Sequence, residues 1–317
     1  MKFKSKISDI QLQQIAITLK MKLKTLFLVL FALVAIQLSA QEEADTKKET
    51  KPVRNMFEST WLIDNQSVIV PIKGTFQFDI IHRFGTWNNG YEDFYGLFAS
   101  SNIKLGFNYS ILDNLSVGFG ITKFYMTWDM NVKYAILQQT RSGSIPLSLT
   151  YFGNAAVDTR ADKAEDQNDK IFKNNSDRWS YFHQLIIARK FTKDFSFQVA
   201  PSLSHYNAVE AFINTDREKV AVMENDNFSL AFGARYKIGD RFAILANYDQ
   251  PLTKNYSKNP QPNISFGLEI ATSSHAFQIF AGNYNYIIPQ RNNVFNQNNY
   301  KDGDFLIGFN ITRLWNW

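Results

Sequence analysis

From Asn102 to Tyr125 the chain reads NIKLGFNYSILDNLSVGFGITKFY, and its two parities differ in kind. Ile103, Leu105, Phe107, Tyr109 and Ile111 alternate with Asn102, Lys104, Gly106, Asn108 and Ser110. After Leu112-Asp113-Asn114 the alternation resumes, with Leu115, Val117, Phe119 and Ile121 opposite Ser116, Gly118, Gly120 and Thr122. Successive side chains of a strand point to opposite faces, so period two around a tight Asp-Asn turn predicts an antiparallel hairpin with one apolar and one polar face. Each arm runs about ten residues, longer than the roughly five or six of a soluble sheet and close to the roughly 9–11 that cross a bilayer at a tilt.

The same alternation recurs along the chain. Beyond the two arms of that hairpin, strands are expected at 76–83, 129–137, 144–152, 180–190, 195–205, 227–238, 241–249, 263–271, 276–286 and 304–314. That makes about twelve, an even number as single-chain bacterial barrels require. Within 180–190 both parities are partly apolar, and its face assignment stays open. Connections after even-numbered strands are short: 112–114, 138–143, 191–194, 239–240 and 272–275. Those after odd-numbered strands are longer and polar, at 84–101, 153–179, 206–226, 250–262 and 287–303, the third being the short exception. Short turns on one rim and long loops on the other are what an outer-membrane barrel with both termini in the periplasm produces. A soluble sandwich has no reason to sort its loops by parity.

The apolar parity carries Phe, Tyr, Leu and Ile, whereas the other is rich in Gly, Ser and Asn with scattered Lys, Arg and Glu. Turned inward, so many aromatic residues would crowd a core. Turned outward they meet acyl chains, and the small and polar residues suit a narrow hydrated lumen. Closure also satisfies the backbone donors and acceptors that an open sheet would leave stranded in lipid. The expected fold is an all-β, closed antiparallel transmembrane β-barrel of about twelve strands over 75–317, with short periplasmic turns and long extracellular loops. Its last strand, DFLIGFNITRLWNW, keeps Phe305, Ile307, Phe309, Ile311, Trp315 and Trp317 on one parity. A chain stopping on Trp317 resembles the tail recognised by the outer-membrane assembly machinery. Arg313 interrupts that row, as Lys123 and Arg189 interrupt theirs. Near a rim such cations snorkel at little cost, whereas at mid-bilayer they would cost about 2–4 kcal/mol.

The net charge of +5 does not point to nucleic acid. Residues 1–40 hold six of the 34 basic residues and one of the 29 acidic ones, so the remainder carries 28 of each. Within that segment Met21 to Ala40 reads as a signal peptide, with Lys22 and Lys24 before an apolar run and Ala40 at the cut. Residues 1–20 read as an upstream extension, because Met21 opens a complete signal by itself. The chain has no Cys, so no lipoprotein anchor follows the cut and no disulfide staples the exported chain. Residues 41–74 are expected as a linker or periplasmic segment. Its second half, with Phe57, Trp61 and the run Val68-Ile69-Val70, is either a short first element or a piece tucked against a barrel end.

With the barrel in place, Lys104, Asn108, Asn131, Lys133, Gln198, Arg235, Lys237, Asn263, Glu269, Asn310 and Thr312 point inward. Selectivity for a small solute would reside there, and the mixed but basic-leaning set weakly favours anions. The same side chains could instead bridge the lumen and plug it. Twelve strands lie between filled eight-stranded barrels and open sixteen-stranded porins, and both readings stay open. His82 and Arg83, in HRFG before a long loop, are candidates for a ligand or proton site at the extracellular mouth; a girdle hydrogen bond and a snorkelling arginine are the plainer reading. His183, His205 and His275 lack the spacing of a paired metal set, so neither metal nor cofactor is expected.

Outer-envelope phospholipases also use twelve strands, which makes a lipid-modifying enzyme the alternative. Ser204 and His205 are adjacent and so face opposite sides of a strand, and Ser202 also differs from His205 in parity. A non-enzymatic protein is therefore expected. The acidic stretch 158–177 lacks the DxDxDG order of a calcium loop, and the Asn/Gln-rich 291–299 reads as a flexible loop able to touch a sugar or a neighbouring protein.

The stretches HRFG, YGLFASSNIKLGFNYSILDNLSVGFGITKF and DMNVKYAILQQ resemble a family of exported β-barrel proteins of unknown function found in Bacteroidota. The likeness runs from about Phe57 to the C-terminus. It implies an outer-membrane barrel and supplies no substrate or catalytic residue. The resulting expectation is a narrow channel or envelope component of the cell outer membrane, partnered by outer-membrane lipid and the assembly machinery.

Overall fold

The computed structural model describes residues 51–161, 172–215 and 218–316. The segment expected as a signal peptide, residues 162–171 of the acidic stretch and Trp317 lie outside the described residues. Two very short strands, β1 (Trp61–Leu62) and β2 (Asn65–Gln66), pair only with each other. The barrel follows: β3 (Thr75–Thr86), β4 (Asn102–Leu112), β5 (Leu115–Thr122), β6 (Thr127–Leu137), β7 (Ser148–Asp158), β8 (Trp179–Lys190) and β9 (Phe195–Tyr206). A separate ribbon, β10 (Ala211–Ile213) with β11 (Lys219–Val222), stands in the next loop. Strands β12 (Asp226–Lys237), β13 (Phe242–Pro251), β14 (Asn263–Ala271), β15 (His275–Gly282) and β16 (Leu306–Asn316) complete the wall. Each barrel strand pairs antiparallel with the next, β9 meets β12, and β16 returns to β3 with Ile311 opposite Ile80. Twelve strands close, so the sheet has no free edge to defend.

The opening hairpin forms as the alternation requires, with Phe107 opposite Phe119 and Lys104 opposite Thr122. Several boundaries move, among them the end of β3 from 83 to Thr86 and the end of β7 from 152 to Asp158. The fifth barrel strand, β7, starts at Ser148 and not at 144, because residues 138–147 form a longer turn whose Thr140 bridges to Pro52. The eleventh, β15, stops at Gly282 and not at 286. There Asn283 leaves the ladder to bond Ile264 N and the carbonyls of Pro262 and Asn298, while the Tyr284 hydroxyl turns inward to donate to Ser265 Oγ at 2.8 Å.

The outer wall is apolar. Phe107, Met130, Ile244, Phe266 and Ile279 are all exposed on it, which in water would be a large aggregation-prone patch and in a bilayer is the lipid-facing belt. Aromatic groups ring both ends. At the short-turn rim Phe76 packs on Trp315, which also lies under the Arg313 guanidinium at 4.5 Å. At the long-loop rim His82 stacks on Phe309 and Trp179 on Tyr181. The second core lies inside the barrel.

Candidate functional site

The N-terminal segment fills the lumen. At the short-turn rim Val53 N donates to Gln139 O, and Lys190 Nζ donates to the carbonyls of Arg54 and Asn55 at 3.0 Å each. The chain then rises through the barrel, reverses at Ile63-Asp64 between β1 and β2, and returns to Gly74, whose N–H donates to Ser110 O near that same rim. Ile63 takes φ +58°, a left-handed conformation that a β-branched residue adopts only when its surroundings impose it. The wall does so: Ile63 N donates to Gln278 Oε1 at 3.1 Å, and Asn310 Nδ2 donates to Ile63 O at 2.6 Å. Residues 55–74, expected within a linker or periplasmic segment, are thus a luminal hairpin.

One side of its seat is polar. Gln77 Nε2 donates to Thr60 Oγ1 at 2.7 Å, Lys133 Nζ to Gln66 Oε1 at 3.1 Å, Gln198 Nε2 to Gln66 O at 2.8 Å and Thr150 Oγ1 to Val68 O at 2.8 Å. Asn65 donates to Asp249 Oδ1 at 2.7 Å, and Asn247 donates to the carbonyl of Leu62. The other side is apolar: Met56, Phe57, Leu62, Ile63 and Val68 cluster with Phe152, Phe182, Ile186, Leu245 and Phe280 of the wall. This is why 180–190 is apolar on both parities, since one face of β8 meets lipid and the other meets the hairpin. Gly233 belongs to the same fit, because a Cβ there would run into the Leu62 side chain.

The candidates from the sequence distribute as follows. Lys133, Gln198 and Asn310 hold the hairpin directly. Lys104 pairs with Asp129 at 2.8 Å, and Arg235 with Glu269 at 2.7 Å and with Glu58 of the luminal segment at 3.6 Å. Asn108 donates to Asp79 at 3.0 Å and approaches Asn131 across Gly118, while Thr312 donates to Asp79 at 2.7 Å. Asn263 stands at the long-loop end, accepting from Asn296 at 2.8 Å. Lys237 is not within the lumen: it lies at the short-turn rim, 3.7 Å from Asp240.

His82 and Arg83 do not share a mouth site. Adjacent strand residues face opposite sides, so His82 is on the outer wall against Phe309. Arg83 is fully buried within, 3.4 Å from Asp64, donating to Asn310 Oδ1 at 2.9 Å and stacked over Phe280 at 4.4 Å. Nor does Arg83 snorkel, because β3 runs on to Thr86 and leaves it inside. Sequence reasoning missed Asp64, Asn65 and Gln66; the one hint was a DNQS stretch sitting directly after the apolar WLI.

A second closure comes from the long-loop side. Helix α1 (Pro289–Phe295), in the loop read as flexible, folds inward. Fully buried Gln290 donates to Asn154 Oδ1 at 3.1 Å, and Asn292 donates to Asp64 Oδ2 at 2.6 Å, so the two closures meet at one carboxylate.

Beside α1 opens a vestibule of about 500 Å³, lined by Tyr125, Arg160, Arg178, Tyr206, Tyr286 and Arg291 among others. The Arg291 guanidinium lies 3.7 Å from the centre of the Tyr125 ring, and Arg160 stands 4.3 Å from that ring. Burial pushes the Tyr286 phenol well up, against the opposing pull of the Arg291 charge. The Asp158 carboxylate, bonded to Arg160 at 2.7 Å, raises that guanidinium further.

Ser202 and Ser204 are buried on the luminal side, Ser202 bonded to Ser229 at 2.7 Å. His205 points the other way, to Asp226 Oδ1 at 2.7 Å. Among the described residues no three His, Cys, Asp or Glu side chains are grouped to hold a metal.

A closed barrel of twelve strands, an apolar belt between aromatic rims and loops sorted by length define an outer-membrane β-barrel, and the outer membrane is where it resides. Residues 57–315 match the family described as membrane bound beta barrel domain (DUF5777), and the chain belongs to that family. Its fold is also similar to that of the NanC porin (10% identity, TM-score 0.45, covering 76% of this chain and 99% of that one). An outer membrane channel from Pseudomonas putida F1 shows 11% identity and a TM-score of 0.42, covering 78% of this chain and 97% of that one. The KdgM porin shows 10% and 0.41, covering 76% and 99%. These likenesses are of barrel architecture alone. Among curated proteins, none is similar enough in sequence to match.

Proposed function

We propose that the protein is a channel of the outer membrane, non-enzymatic, whose lumen is shut in this conformation by its own residues 56–70. The observation that carries this reading is the character of the seat. The hairpin is held by side chains of the wall donating to its backbone and amides, with no covalent tie between Met56 and Val70. Each such hydrogen bond is worth about 0.5–1.5 kcal/mol net against water. On withdrawal, Lys133, Gln198, Gln278 and Asn310 would therefore exchange the hairpin for water and line a polar pore. Export by the 21–40 segment, with an origin in the Bacteroidota-type family that the sequence resembles, belongs to the same proposal.

Planar-bilayer recordings test it. The full chain is expected to be silent or to open only briefly, and a chain lacking residues 56–70 to give steady single-channel steps. A truncated protein that is folded yet silent would favour the other reading, a structural or interaction component of the envelope. The density of contacts filling the lumen supports that second reading.

A further inference from the structure

The vestibule beside α1 takes no part in closing the lumen, and among the described residues that line it the charges do not cancel. Arg160, Arg178, Lys258 and Arg291 face it, as do Asp158, Asp177 and Glu210. All three carboxylates are engaged: Asp158 with Arg160 at 2.7 Å, Glu210 with Lys258 at 3.4 Å, and Asp177 with the backbone N–H of Asn174 at 2.8 Å. Arg178 donates to the carbonyls of Asp158 and Arg160, at 3.1 and 2.8 Å. Arg291 differs from these, for among the described residues no oxygen accepts from its guanidinium. Its contacts are with rings: Tyr125 at 3.7 Å, Phe295 at 5.4 Å and Tyr286 at 5.8 Å.

Stacking occupies the face of a guanidinium and leaves its in-plane N–H edge free. That edge is the fork that grips a carboxylate through two parallel hydrogen bonds, and a group already held flat by aromatic neighbours loses little freedom in doing so. The space of about 500 Å³ falls in the range of small-molecule sites, and Tyr206, Phe212 and Phe295 supply apolar walls for the body of a ligand.

We propose that the vestibule binds an organic carboxylate borne on a ring, with the edge of Arg291 gripping the carboxylate and the aromatic walls packing the ring. Resting on the channel reading above, this makes acidic ring compounds the solute class met at the extracellular side. Arg291 lies between Gln290 and Asn292, the two helix residues that bond the wall and the luminal hairpin. An occupant of the vestibule therefore sits directly against the outer closure.

Isothermal titration of the refolded full chain tests this with benzoate, glucuronate, benzamide and glucose. At least one acid is expected to bind at least tenfold more tightly than its neutral counterpart. Arg291→Gln is expected to abolish that preference, while unboiled gel mobility reports the barrel as folded. Binding of benzoate alone identifies an aromatic acid, binding of glucuronate alone a sugar acid, and binding of both the shared carboxylate. Binding of neither acid more tightly than its neutral counterpart, or no binding of either acid, overturns the proposal even if Arg291→Gln fails to fold. Conductance is recorded separately: binding without steps in the plug-deleted chain leaves the vestibule standing and removes the channel, and steps without binding do the reverse.

Discussion

At the tip of the luminal hairpin, Asp64 answers Arg83 with one oxygen and Asn292 with the other. Arg83 has no exposure at all, so this carboxylate, Asn310, the carbonyl of His82 and the Phe280 ring replace water around it. Removing one member of a buried ion pair commonly costs about 3–5 kcal/mol, because the survivor stays charged and desolvated. Asp64→Ala is therefore expected to weaken the hold on the hairpin by about that much while leaving the wall intact. Bilayer recordings would show openings absent from the parent, and a variant as silent as the parent would remove Asp64 from the closure. At this scale little was legible beforehand. That Arg83 faces inward follows from parity once β3 is extended to Thr86, but its partner lies 19 residues away in a segment without periodicity.

Among the elements, β8 shows how one strand serves two surfaces. Tyr181, His183, Leu185 and Ile187 face outward, while Phe182, Gln184 and Ile186 meet the hairpin. Ile186→Ser removes a fully buried side chain from the hairpin's apolar seat, losing about 1.5–3 kcal/mol of burial. The expected consequence is confined to the hairpin, since the ladder pairing Ile186 with Thr150 is backbone. Limited trypsin digestion would read it: cleavage at Arg54 and Lys73, which flank the luminal run, should accelerate while the barrel fragment persists. Loss of the barrel fragment would instead mean that Ile186 supports the wall. The ambiguous pattern of 180–190 contained this information, but only the occupant of the lumen explains why a strand needs two apolar faces.

For the whole molecule, the environment decides which residues are tolerated. Ile279 is 57% exposed midway along β15, opposite Leu268 and Phe309, where a bilayer places hydrocarbon. Ile279→Lys is expected to destabilise folding into liposomes by about 2–4 kcal/mol, the cost of a lysine near the midplane, whereas a cation at Arg313 already sits at the rim beside Trp315. Denaturant titration of refolding into vesicles measures it, and a neutral result would place the belt elsewhere.

Strand count, antiparallel order, lipid-facing parity and the sorting of loops were all determined by sequence, because each follows from a local period of two and from turn residues read over a few positions. Whether the lumen is open was decided only by tertiary structure. Residues 56–70 carry no repeating pattern, and their partners come from strands spread around the wall from Gln77 to Asn310. A wall closed into a cylinder brings those side chains to one axis. That convergence is a property of the closed ring, which no single stretch of the chain encodes.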